Sequence, residues 1–145
     1  MKLSIFFSAL IMIIGCGTQK KMAQEQVENS NTMIKAKVGE INVASDPLTI
    51  TNVNVKGNIL LIDISYSGGC KDHSFEVVGS PMIAKSLPPI RAIQLIHHAN
   101  SDQCKKMILQ TLEVDLKDLA YQQKVGSKIF LTLDGWKDKI EYSFE

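Results

Sequence analysis

From residue 47 onward, apolar positions recur at every second residue and are interrupted by turn-forming residues, a pattern that predicts strands from end to end. "LTITNVNV" is rich in β-branched residues, and Lys56, Gly57 and Asn58 supply a turn into "ILLIDISYS", so the two predict a hairpin. "HSFEVVG" places His73, Phe75 and Val77 on one face. "PIRAIQLIHH" places Ile93, Leu95 and His97 on one face and Ala92, Gln94 and His98 on the other. "CKKMILQTLEVDL" is long, and its alternation changes phase near Gln110, which predicts a β-bulge or a strand crossing between sheets. "DLKDLAYQQKVG" predicts a short helical turn opened by Asp115. "KIFLTLDGWKDKIEYSF" predicts a hairpin turning at Asp134 and Gly135. Seven strands at this spacing predict an all-β domain over 47–145, an antiparallel, immunoglobulin-like β-sandwich.

The first 46 residues follow a different pattern. Lys2 precedes an apolar run of thirteen residues, 3–15. That run is too short to span a bilayer, which needs about 20 helical residues, but it suits the apolar region of a signal peptide. The run ends in "IIGC", which resembles the bacterial lipobox. The resemblance implies a signal peptide over 1–15, a diacylglyceryl group on Cys16, cleavage before that cysteine and acylation of the new amino terminus. Several acyl chains at about 0.8 kcal/mol per buried methylene would hold the chain on a bilayer. Gly17 is not the aspartate that retains lipoproteins in the inner membrane of enteric bacteria, which favours the outer membrane. Residues 16–46 are rich in Gln, Asn, Lys and Glu and lack aromatics, so composition assigns them to a tether. Within it, "TMIKAKV" suits either an edge strand or a short helix.

Sixteen basic residues against fifteen acidic ones give a net charge of +1, which supplies no long-range field to gather nucleic acid. The expected contacts are the lipid bilayer through Cys16 and an envelope protein or glycan, or an attacking enzyme to be inhibited.

With Cys16 assigned to lipid, Cys70 and Cys104 remain as an even pair in an exported domain, where disulfides persist. A loop of about 35 residues closed by that bond stabilises by roughly 4 kcal/mol under the chain-entropy model. The competing reading takes Cys70, His73, His97 and Cys104 as a tetrahedral zinc or copper site. C-x2-H is short enough for one loop to present both ligands, but H-x6-C is loose, and exported thiols are usually oxidised before they meet metal. Otherwise His73 and His97 are semi-buried imidazoles near the disulfide, and His98 is solvated. Asp63, Ser65, Ser67 and His73 include the residue types of a hydrolytic triad, but no nucleophile elbow surrounds the serines. Asp63, Asp72, Asp102, Asp115 and Asp134 are scattered, with no calcium-loop spacing. Trp136 follows the Asp-Gly turn as a lid on the sandwich edge or as a binding anchor.

"ISYSGGCKDHSFEVV" followed by "LIHHANSDQCKKMILQTLEVDLKDL" resembles small exported proteins and lipoproteins of Bacteroidota. The resemblance implies an envelope β-domain with paired cysteines and brings no activity with it. The expectation is a domain that acts by binding, without a cofactor and without catalysis.

Overall fold

The computed structural model describes residues 33–145. The signal segment, Cys16 and the tether up to residue 32 lie outside the described residues. In chain order the elements are β1 (Ile34–Lys35), β2 (Lys37–Val38), β3 (Thr49–Lys56), β4 (Ile59–Gly68), β5 (Ser74–Ala84), β6 (Ile90–His98), β7 (Lys106–Asp115), a 3-10 turn (Lys117–Leu119), β8 (Lys128–Leu133) and β9 (Ile140–Ser143). One sheet has the order β1-β7-β4-β3 and the other β2-β5-β6-β8-β9. The two face each other as a sandwich.

The all-β sandwich agrees with the sequence pattern, and the expected seven strands are β3 to β9. The hairpins β3–β4, β5–β6 and β8–β9 are antiparallel. A purely antiparallel fold is corrected by three parallel pairings, β1 with β7, β2 with β5, and β6 with β8. Their cause is the chain path. After β6 the chain crosses to the other sheet as β7 and returns as β8, so β8 runs beside β6 in the same direction. β5 and β7 also share a direction, so one segment passing between their edges as β1 and β2 is parallel to both.

Among the described residues the strands begin at Ile34, inside the stretch that composition assigns to the tether. Ala36 is fully buried, and its N–H bonds the Asp115 carbonyl at 3.1 Å. Residues 43–46 line the upper edge of β6: Val43 exchanges hydrogen bonds with the Gln94 amide, Ser45 Oγ accepts the His97 N–H, and the Asp46 N–H donates to the His97 carbonyl. Two-residue strands carry too little periodicity to be read from sequence.

β7 has no bulge at Gln110. Its register with β4 is unbroken from Ile59 opposite Asp115 to Gly68 opposite Lys106. The phase change arises because Gln110 shares the inward face with Ile108, Leu112 and Val114, while Met107 and Leu109 turn outward and are exposed. The irregularities fall instead in β3, between Ile50 and Asn52, and in β5, between Gly79 and Ile83.

The core joins Leu60, Ile62 and Ile64 of β4 to Ile93 and Leu95 of β6, Leu131 of β8 and Tyr142 of β9. Leu116 and Leu119 close one end, where Asp115 Oδ1 accepts the Lys117 N–H at 3.0 Å. Trp136 packs against the core as a partly buried lid. Phe75 and His97 are opposite one another in the β5–β6 hairpin, as are Val77 and Leu95, so the two predicted faces are one inward face.

Candidate functional site

At the other end of the sandwich, β4 stops at Gly68 and β7 starts at Lys106, and the loops that flank them are joined. Cys70 and Cys104 form a disulfide across a separation of 34 residues, with Cα atoms 5.9 Å apart. Each glycine of "SGGC" has its own reason to be there. A Cβ on Gly68 would stand 2.6 Å from His73 Nε2 and 3.2 Å from Asp102 Oδ2, so only a bare backbone lets those side chains meet. Gly69 has φ +106°, a conformation that L side chains avoid.

Asp102 organises this end. Its Oδ1 accepts the Cys104 N–H at 2.8 Å, the two-residue reach of an Asx turn. Its Oδ2 accepts the N–H groups of Cys70 and Lys71 at 2.9 and 3.0 Å and faces His73 Nε2 at 3.2 Å. The carboxylate thus ties together the backbones on both sides of the disulfide. The N–H of Cys104 above all, then those of Cys70 and Lys71, and His73 hold the Asp102 carboxyl well below the usual carboxylate range.

From Asp102 a chain of bonds runs inward. His73 Nδ1 meets His97 Nε2 at 2.8 Å, and His97 Nδ1 meets the Pro47 carbonyl at 3.2 Å. Both ends of this chain, a carboxylate and a carbonyl, are acceptors. Three bonds in series need three protons, and two neutral imidazoles supply two. With both rings neutral, therefore, one of the three contacts lacks a hydrogen. Burial first, and the charge of His73 second, lower the His97 pKa.

Aromatic packing seals the pair. Phe75 stacks on His97 at 4.9 Å between centroids, and Tyr66 lies 4.7 Å from His73 and 5.0 Å from His97. Tyr66 donates its hydroxyl to Gln110 Oε1 at 3.0 Å, which gives the inward-facing Gln110 its purpose. Outside this layer is an open cleft of about 400 Å³, bounded by Tyr66, Cys70, Lys71, His73 and Ile108.

All four members of the alternative metal set are at this end, but they do not form that site. Joined to each other, Cys70 and Cys104 present no thiolate. His73 and His97 bond each other directly. Sulfurs and carboxylate of Cys70, Asp102 and Cys104 lie within 4.8 Å of one another, but the Asp102 oxygens face N–H donors. The triad residues are not gathered either. Asp63 faces away from His73 on the outer side of its sheet, where its carboxylate accepts from Asn52 and Thr111. His98 is half-exposed beside Glu76, 3.6 Å away. Sequence reasoning missed the roles of Asp102, Tyr66, Gln110 and Pro47. Of these, Asp102 had a legible signal, the Asx turn into Cys104.

The fold and this end define a disulfide-clasped, mixed β-sandwich. The fold is similar to that of a NigD-like immunity protein from Bacteroides caccae, at 20% identity and a TM-score of 0.55, covering 75% of this chain and 58% of that one. It is also similar to a protein of unknown function from Bacteroides vulgatus (13% identity, TM-score 0.52, 78% and 56% covered). A protein described as toxin-related, from Parabacteroides distasonis, gives 15%, 0.50, and coverage of 77% and 61%. The chain spans between 56% and 61% of the length of these structures, and at such identities the likeness is one of fold. No family model matches the chain, and no curated protein matches it significantly.

Proposed function

We propose that the chain is an envelope lipoprotein, lipidated at Cys16 and held on the bilayer, whose β-sandwich binds a protein partner without turnover. The observation that carries this reading is the clasp. Where histidines, a buried carboxylate and two sulfurs converge, these groups are bonded to their own chain, so the cluster serves architecture and leaves recognition to the surface. The fold likeness to a NigD-like immunity protein supports a partner of the attacking kind, an enzyme or toxin that the domain neutralises by contact. Gly17 favours the outer membrane as the site of anchoring.

The test is survival. The bacterium that makes this chain, with the coding sequence deleted, is challenged with culture supernatant of its undeleted parent. Loss of survival is expected, restored by the parent chain and poorly restored by Cys16→Ser. Full survival of the deletion strain contradicts the neutralising role. Restoration by Cys16→Ser equal to that by the parent contradicts the anchor.

A further inference from the structure

The end of the sandwich opposite the disulfide carries an exposed apolar hairpin. β5 passes into β6 through "PMIAKSLPP", Pro81 to Pro89, in which Lys85 is the sole ionisable residue. Met82 is 81% exposed and Leu87 is 100% exposed. Folding ordinarily turns such side chains inward, and a contiguous apolar patch that stays outside marks a contact surface. Behind the hairpin is a cleft of about 370 Å³ lined by Ile83, Ala84, Lys85, Ser86, Pro89 and Tyr121. It has room for one large apolar side chain.

Charge narrows the choice of occupant. No acidic residue lies between Glu76 and Asp102, so this half of the β5–β6 hairpin carries Lys85 and Arg91 without a carboxylate of its own. Arg91 stands opposite Ile83 in the ladder, so its side chain shares a face with a residue that lines the cleft. The arginine is buried, with a relative exposure of 6%. Nη1 donates to the Ser80 carbonyl at 2.7 Å, and among the described residues Nε has no partner. Buried to this degree and outside the lining of the cleft, Arg91 adds to the positive charge of the hairpin without itself reaching a partner.

We infer that the β5–β6 hairpin and the cleft beside Tyr121 form the docking surface for the protein partner, which presents a large apolar side chain flanked by carboxylates. The apolar group fills the space between Ile83, Pro89 and Tyr121, and a flanking carboxylate meets Lys85 on the rim. This rests on the reading that the domain binds a protein. An anionic bilayer would meet Lys85 and Leu87, but it has no protruding side chain to fill the cleft.

The probes are two short peptides, acetyl-Glu-Trp-Asp-amide and acetyl-Lys-Trp-Lys-amide, titrated into the intact mature chain while its amide and methyl NMR signals are followed. The acidic peptide is expected to shift Ile83, Ala84 and Tyr121 saturably, about tenfold more tightly than the basic one. Tyr121→Ala and Lys85→Glu should each weaken it by a similar factor at unchanged melting temperature. Equal binding of the two peptides, shifts confined to Lys71 and Ile108 at the other end, or a response to phosphatidylglycerol vesicles alone would overturn the assignment. A photo-reactive residue placed at position 87 and, separately, at position 107 in the native envelope distinguishes the two levels of the account. Protein adducts from position 107 alone overturn the hairpin and leave protein binding standing, whereas adducts from neither overturn both.

Discussion

His73 Nε2 and Asp102 Oδ2 meet 3.2 Å apart in a place solvent does not reach, with side-chain exposures of 2% and 0%. Gly68 makes the meeting possible, and the disulfide 70–104 brings the two loops together. The cysteines, the glycines and the histidine of "SGGCKDHSF" thus serve one arrangement, an Asp102-centred clasp that fixes this end of the sandwich. Removing His73 would take one partner from the Asp102 carboxylate, which is costly where solvent cannot replace it.

The disulfide should behave as one shared bond. Cys70→Ala and Cys104→Ala are each expected to lower stability by about 2 to 5 kcal/mol in denaturant unfolding. The double variant should be no worse than either single one. Additive losses would show that the sulfurs act separately.

Gly68→Ala should cost about 1 to 3 kcal/mol, the usual range for overpacking, since the new methyl would stand 2.6 Å from His73 Nε2 and 2.7 Å from Cε1. The ring cannot turn away without giving up His97 or Asp102. Thermal melts that superimpose on the parent would show that the loop yields freely.

Acid should weaken the clasp in two steps. Burial and His73 hold the His97 pKa below its ordinary 6.5, so the folded state binds this proton less readily than the unfolded chain. Its contribution is complete above about pH 6.5 and declines as pH falls from there. The Asp102 carboxyl is held below its ordinary 3.8, so its contribution is complete above about pH 4 and is lost on further acidification. Unfolding free energy measured against pH should show both declines. His97→Gln should remove the upper one and Asp102→Asn the lower. A parent profile flat from pH 7 to 4.5 would contradict the His97 assignment.

Asn58 should prove more than a turn residue. Its Oδ1 accepts the Tyr142 hydroxyl at 2.7 Å and the Glu145 N–H at 3.1 Å, and its Nδ2 donates to the Glu145 carbonyl at 2.6 Å. Asn58→Ala strands the buried Tyr142 hydroxyl, and a loss of about 2 kcal/mol is expected. Tyr142→Phe in the same chain should recover part of it, because the unsatisfied group is then gone. No recovery would show that the hydroxyl is satisfied elsewhere.

What was legible in the sequence follows from what repeats or what chemistry restricts. The β3–β4 and β8–β9 hairpins, the inward faces of β5 and β6, and the pairing of Cys70 with Cys104 were all available from alternation, turn residues and cysteine number. Asp102 was not distinguished from the other aspartates, because its role depends on N–H groups from a loop about thirty residues away, although the short reach to Cys104 was a local sign. Gln110 disguised a regular strand as an irregular one. A polar residue on an inward face looks like a slip of phase until its partner, Tyr66, is known. Ala36 leaves no trace at all, since one small buried residue between two short strands has no period.

The most direct test of the account is the state of the two sulfurs in the mature chain isolated from the envelope under non-reducing conditions with thiols blocked at lysis. Alkylation with mass analysis of the peptides containing Cys70 and Cys104, beside elemental analysis of the same sample, reads both alternatives at once. The clasp requires these two residues to be protected from alkylation and joined in one peptide pair, with zinc and copper far below one per chain. Two alkylated cysteines with about one metal ion per chain, lost in His73→Ala, would contradict it and return the site to metal binding.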